Sequence, residues 1–244
     1  MKKTLLAAGG AFAAVWIYAG CRGWTWIPIG KVPQKGQIRV ACVGDSITYG
    51  ALIPNWYLHN YPFLLSGLLG KQYCVHNYGM NGRTAMETGN HPYTKELRFH
   101  RSLAFRPDIV LLMFGTNDST PHNWRGKEEF KRQYEKLVDA YAKLPTHPRV
   151  ILLQPPEQQH MNGKTGDLHT FEIQKARMIE IGEAIREVAA EKGLETVDML
   201  AFTKGHSEWF SPDGIHPNAF GAQNIAKYLQ EIVLCKTGDR YDRS

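Results

Sequence analysis

Ile109-Val110-Leu111-Leu112-Met113-Phe114-Gly115-Thr116-Asn117-Asp118 begins with six apolar residues in unbroken succession. The run is too short for an ordinary helix, and Arg106-Pro107-Asp108 before it and Gly115 after it bound it as a strand. A strand with one wet face alternates apolar and polar residues. One that is apolar at every position is covered on both faces, as the strands of a parallel sheet are.

The same form recurs to either side. Ile38 to Val43 stops at Gly44, Tyr73 to Tyr78 stops at Gly79, Val150 to Leu153 precedes Pro155-Pro156, and Glu195 to Asp198 is a weaker fifth run. Helical stretches lie between them: Tyr61 to Leu69 with Pro62 in its first turn, Lys95 to Ala104, Lys127 to Lys143, Phe171 to Lys192 and Ala219 to Leu234. In the longest, Met178, Ile181, Ile185 and Val188 recur at spacings of three and four before Gly193. Alternating strands and helices predict the α/β class, a three-layer α/β/α sandwich around a parallel sheet of about five strands.

With 244 residues, 43% of them hydrophobic, the chain can bury one full core. We expect a single folded domain over 37–236, preceded by a targeting segment and linker over 1–36 and followed by a polar tail over 237–244. The net charge of +6 is no sign of a nucleic-acid partner. Lys2, Lys3, Arg22, Lys31 and Lys35 fall within the first 35 residues with no acidic residue among them, which leaves about +1 on the remainder.

Lys2-Lys3 precedes an uncharged stretch, Thr4 to Cys21, rich in Ala, Leu, Val and Ile. Eighteen helical residues at ~1.5 Å each span about 27 Å, just short of a hydrocarbon core of roughly 30 Å. Three fates fit: a retained membrane anchor, a lipoprotein lipidated at Cys21 after Ala19-Gly20, or a cleaved signal. In each the basic end stays in the cytoplasm and the domain is extracytoplasmic. Trp24, Trp26 and Pro28 then read as an interfacial belt and linker.

The other cysteines, Cys42, Cys74 and Cys235, have no C-x-x-C spacing and are expected as buried small hydrophobes. The histidines are scattered without H-E-x-x-H, so no metal or other cofactor is expected.

Four segments carry candidate chemistry: Gly44-Asp45-Ser46-Ile47-Thr48, Asn81-Gly82-Arg83-Thr84, Gly115-Thr116-Asn117-Asp118 and Asp213-Gly214-Ile215-His216-Pro217-Asn218. Ser46 follows the first strand, Gly82 the second and Asn117 the third. In an open parallel sheet all three therefore fall on the carboxyl edge, where such folds bind ligands. His216 lies in the loop feeding the last helix.

In this order the four segments resemble the blocks of the SGNH (GDSL-type) hydrolases, with Ile47-Thr48 in place of the Leu form of the first block. The resemblance spans about residues 38 to 234 and implies a flavodoxin-like sheet and hydrolysis of carboxylic esters through an acyl-enzyme. It implies Ser46 as nucleophile, His216 as base, Asp213 as its orienting acid, and an oxyanion hole from the Ser46 and Gly82 N–H groups and the Asn117 amide. Gly79 is a second turn glycine close to Gly82. Asn117 can also form an Asx turn, and Asp213 can instead cap the last helix. Asp45 and Asp118 read as loop-fixing acceptors rather than as acids of the mechanism.

Trp56, Tyr93, Trp124 and Trp209 flank the four segments and are candidates to stack on sugar rings. The Gly89 to Glu96 run and the Gly115 to Trp124 segment resemble exported bacterial carbohydrate esterases, which implies a small acyl group, acetyl above all, on a glycan. Two other functions stay open: a lipase- or lysophospholipase-like esterase for longer acyl chains, and a non-catalytic glycan-binding module on the same fold.

Overall fold

The computed structural model describes residues 30–158 and 173–235, together with the backbone of the short hairpin β5 (His160–Met161) and β6 (Lys164–Thr165). The basic and apolar leader, Cys21, Trp24, Trp26 and the tail over 237–244 lie outside these residues. Among the described residues no helix is long and apolar enough to cross a membrane.

Five parallel strands form the sheet: β1 (Ile38–Gly44), β2 (Tyr73–Asn77), β3 (Ile109–Met113), β4 (Arg149–Leu153) and β7 (Glu195–Val197), in the order β2-β1-β3-β4-β7. The expected class and strand count are both found. The order reverses between β1 and β3, whose registers pair Val40 with Ile109 and Gly44 with Met113. A crevice opens there beyond the strand ends, because the flanking connections leave to opposite sides.

Successive residues of a strand point to opposite faces, so the unbroken apolar runs feed two cores. On one face Val40, Cys42, Leu111, Met113, Ile151 and Leu153 pack with Leu65 of α3 (Tyr61–Leu69) and Ile225 and Leu229 of α8 (Ala219–Cys235). On the other, Ala41, Val43, Val110, Leu112 and Leu152 meet Phe99 of α4 (Leu97–Ala104), Phe130 and Tyr134 of α5 (Lys127–Ala142), and Ile181 and Ile185 of α6 (Lys175–Lys192).

Some boundaries differ from the sequence expectation. Glu96 is extended at φ −94, ψ 145, so a 3₁₀ turn over Tyr93–Lys95 precedes α4 instead of continuing into it. Gln174 is extended at φ −110, ψ 123, so α6 starts at Lys175 rather than Phe171, which lies outside the described residues. Three one-turn helices, α1 (Ser46–Tyr49), α2 (Trp56–His59) and α7 (Met199–Thr203), are too short for a periodic signal. Cys42 and Cys74 are buried as expected, but Cys235 is exposed, because it is the last residue of α8 and has no layer above it.

Candidate active site

The first segment turns from strand to helix within one residue. Asp45, at φ −94 and ψ −145, caps α1 by accepting the Ile47 N–H at 2.9 Å. Ser46 is thereby the first residue of a buried helical turn, 8% exposed, at the mouth of the β1–β3 crevice. Below it Thr48 Oγ1 and Tyr61 Oη share a hydrogen bond of 3.0 Å, which ties α1 to α3.

The second segment is laid along β1. Tyr78 N–H and Met80 N–H donate to the carbonyls of Cys42 and Gly44 at 2.8 and 3.0 Å. The two glycines are distinct in role. A Cβ on Gly79 would overlap the Tyr49 backbone, so Gly79 permits the close approach to α1. Gly82 has φ +73, and a Cβ there would meet nothing within 4 Å; it faces open space, and its N–H has no hydrogen-bond partner among the described residues.

The third segment follows β3 in a tight turn. The Asn117 carbonyl accepts from Thr120 Oγ1 and Asn123 Nδ2, both at 2.9 Å. Its amide reaches across the crevice: Nδ2 donates to Arg83 O at 3.1 Å and to Asp45 Oδ2 at 3.3 Å. The side chain thus joins three segments rather than closing a local Asx turn. Asp118, fully buried, accepts the N–H groups of Ala85 and Met86 at 3.1 and 2.9 Å and clamps the far end of the Gly82 loop.

In the fourth segment the Asp213 carboxylate folds back on its own loop. Oδ1 accepts from Ile215 N and His216 N at 2.9 and 3.0 Å, and Oδ2 accepts from His216 Nδ1 at 2.6 Å. Capping of α8 falls instead to Asn218, whose Oδ1 accepts from Phe220 N and Gly221 N at 3.0 Å. With Nδ1 as the donor to Asp213, Nε2 of His216 is left to accept the Ser46 hydroxyl at 2.8 Å. A hydroxyl, an imidazole and a carboxylate in this sequence can pass the hydroxyl proton to the ring as the oxygen attacks.

Electrostatics sort the three nearby acids. Burial alone would raise the Asp213 carboxyl, but its bonds to His216 and to the two backbone N–H groups outweigh that and hold it below the usual range. Asp45 and Asp118 have only neutral donors in bonding reach, and burial pushes them up to about 7 and about 6. Among the described residues no three His, Cys, Asp or Glu side chains are grouped so as to hold a metal ion.

The four aromatic candidates part ways. Tyr93 is a correction: it is 0% exposed, tilted against Phe114 with ring centroids 4.9 Å apart, and its hydroxyl donates to Tyr78 O. It packs the core and offers no face to a sugar. Trp56 is half-buried and stacks on Tyr49 of α1 at 4.2 Å, beside the Ser46 turn. Trp124 leans on Phe130 at 6.3 Å, and Trp209 stacks on His206 at 3.9 Å.

One residue escaped notice in the sequence. Arg98, on α4 and 3% exposed, donates to Gly79 O at 2.6 Å from beneath the Gly82 loop and lies over the Tyr49 ring at 5.5 Å. A charged residue between Leu97 and Phe99 was its single visible sign.

Comparison with known proteins adds to this geometry. Residues 42–223 match the sequence model of the GDSL-like lipase/acylhydrolase family. The chain is 33% identical over 225 residues to the acetylxylan esterase of Xylanibacter ruminicola, covering 85% of this chain and 45% of that protein. It is 26% identical over 244 residues to a multidomain esterase of Ruminococcus flavefaciens, covering 81% of this chain and 28% of that one. It thus spans less than half the length of both curated relatives. In fold it is similar to a carbohydrate acetylesterase from Sinorhizobium meliloti, with a TM-score of 0.66 and 20% identity over 82% of this chain and 99% of that one.

Proposed function

The chain belongs to the GDSL-like lipase/acylhydrolase family, and from that premise we propose that it is a serine esterase that removes small acyl groups, acetyl above all, from carbohydrates. The observation that carries the reading is the relay from the Ser46 hydroxyl through His216 to Asp213, at 2.8 and 2.6 Å.

In the proposed mechanism Ser46 Oγ attacks the ester carbonyl carbon while His216 Nε2 takes the hydroxyl proton. Asp213 stabilises the imidazolium and keeps Nδ1 as its donor. The carbonyl oxygen, now an anion, is held by the N–H groups of Ser46 and Gly82 and by the Asn117 amide, which shares with it the hydrogen of its longer bond, the 3.3 Å one to Asp45 Oδ2. Collapse breaks the bond to the sugar oxygen, which leaves with the proton from His216. Water, deprotonated by the same imidazole, then cleaves the acyl-serine, releases the carboxylic acid and returns the proton to Ser46.

Acetyl on a glycan is favoured by the likeness to an acetylxylan esterase along 85% of this chain. A longer-chain esterase is the second reading, favoured by Leu52, Tyr57, Leu58 and Phe220, which are exposed on the segments after Ser46 and His216. We further propose that the enzyme works outside the cytoplasm, held by the leader as an anchor or through a lipidated Cys21, or released if the leader is cleaved.

Acetate release from acetylated xylan, acetylated sialosides and peptidoglycan fragments tests the substrate class, alongside rates on p-nitrophenyl acetate and octanoate. We expect acetate from at least one glycan and faster turnover of the acetate ester. A strong preference for octanoate would establish the second reading instead. A fluorophosphonate probe should label Ser46, and failure to label points to a glycan-binding module without catalysis.

A further inference from the structure

We infer that Asp45 is a positioning residue whose carboxylate sets which end of the Asn117 amide faces the meeting point of the first and second segments; this rests on the esterase reading, in which that amide is an oxyanion donor. As a helix cap alone, Asp45 would be a costly choice. The cap uses only Oδ1, on the Ile47 N–H, and Ser, Thr or Asn would serve there without a charge. Asp45 is 1% exposed and has no salt-bridge partner among the described residues, and a carboxylate buried without a cation is expensive.

Its second oxygen accounts for the charge. Oδ2 accepts from Asn117 Nδ2 at 3.3 Å, and Arg83 O accepts from the same nitrogen at 3.1 Å. The two ends of an amide are nearly alike in shape, so orientation is decided by what surrounds them. The Arg83 carbonyl only accepts, and so does Asp45 Oδ2 once that carboxyl has lost its proton, above about 7. Turned the other way, the amide would set its oxygen against both and carry its donors away from the crevice. The Asn117 backbone does not depend on this contact, because Thr120 and Asn123 hold its carbonyl separately. Loss of the Asp45 charge should therefore disturb the direction of one amide and little else.

The test is a double-mutant cycle in the full chain with p-nitrophenyl acetate at about pH 8, above the value of about 7 to which burial pushes Asp45, so that its carboxylate is charged in the wild type. Asp45→Asn keeps a cap acceptor but can donate as well as accept, and Asp45→Ser keeps the cap without reaching Asn117. Each should lower kcat about 10- to 100-fold with KM held within about 2-fold, and in an Asn117→Ala background each should cost less than about 3-fold more. Equal losses in both backgrounds, or an unchanged kcat, would overturn the assignment. Unfolding of both variants, read by circular dichroism, also overturns it, since the cap would then be all that Asp45 provides. An undiminished kcat in Asn117→Ala alone overturns the oxyanion role of Asn117, and the present inference with it.

Discussion

At the amino-terminal edge of the sheet, Arg149 is 7% exposed and every guanidinium nitrogen is bonded: Nε and Nη2 to the Glu195 carboxylate at 2.8 and 2.7 Å, Nη1 to Val233 O and Nη2 also to Ile232 O. Arg39 and Asp108 pair beside it, with Nε to Oδ2 at 3.1 Å. At the carboxyl edge Asp45 and Asp118 are at least as deeply buried, yet they lean on N–H groups of loops and on an amide, with no cation in bonding reach. Paired charge at one edge ties strands to α8 and closes the sheet. Carboxyls without a cation at the other sacrifice stability to hold the loops of the candidate site in place, as functional sites commonly do.

The strongest test of this division is Ser46→Ala, which should abolish fluorophosphonate labelling and lower kcat by about 10⁶-fold, as nucleophile removal does in a serine hydrolase, while Tm stays near the wild-type value. Next comes Asn117→Ala, with a loss of about 10²- to 10³-fold in kcat and little change in KM. At the opposite edge Arg149→Met should do the reverse. It removes the Arg149 bonds to the Glu195 carboxylate and to the Ile232 and Val233 carbonyls, so urea denaturation should show a loss of about 3–5 kcal/mol, with kcat/KM of the folded enzyme unchanged. A large drop in kcat at unaltered stability would erase the contrast between the edges.

The pH dependence of stability separates the acids. Asp118 keeps its proton in the folded state up to about 6, whereas the unfolded chain releases it near 3.8. The folded state therefore binds more protons within that window, and stability falls as pH rises through it, by up to about 3 kcal/mol from this group. Asp118→Asn should make that slope shallower in thermal melts, the remainder coming from Asp45, which acts in the same sense up to about 7. Asp213 acts in the opposite sense: held below its usual range, it contributes stability above about 3.8 that is lost as pH falls through its folded value. Smallest of all, Gly82→Ala should cost about 1 kcal/mol, from φ +73 alone, since its Cβ meets no atom.

Much of this molecule was legible before folding was considered. Unbroken apolar runs such as Ile109 to Phe114 imply a sheet covered on both faces, and a parallel sheet places Ser46, Gly82 and Asn117 on one edge. Both inferences need only the period of a strand and the direction of the chain. Asp213 and His216 were equally accessible, because three residues of one loop keep a donor and an acceptor within reach. What failed was partner choice over distance. Tyr93 adjoins the Gly82 segment in sequence and was read as a sugar platform, yet it fills the core against Phe114.

By itself, then, the sequence determined the α/β class and the succession of strands and helices, which depend on local patterning, and marked the four segments through their resemblance to a known family. Tertiary structure alone decided that the two buried acids lack cations, that Arg98 braces Gly79, and that the Asn117 amide lies between Asp45 and Arg83. Those contacts join residues 19 to 72 positions apart. Hydrogen bonds and desolvation depend on what lies within a few ångströms, and chain order does not encode that until the two cores have packed.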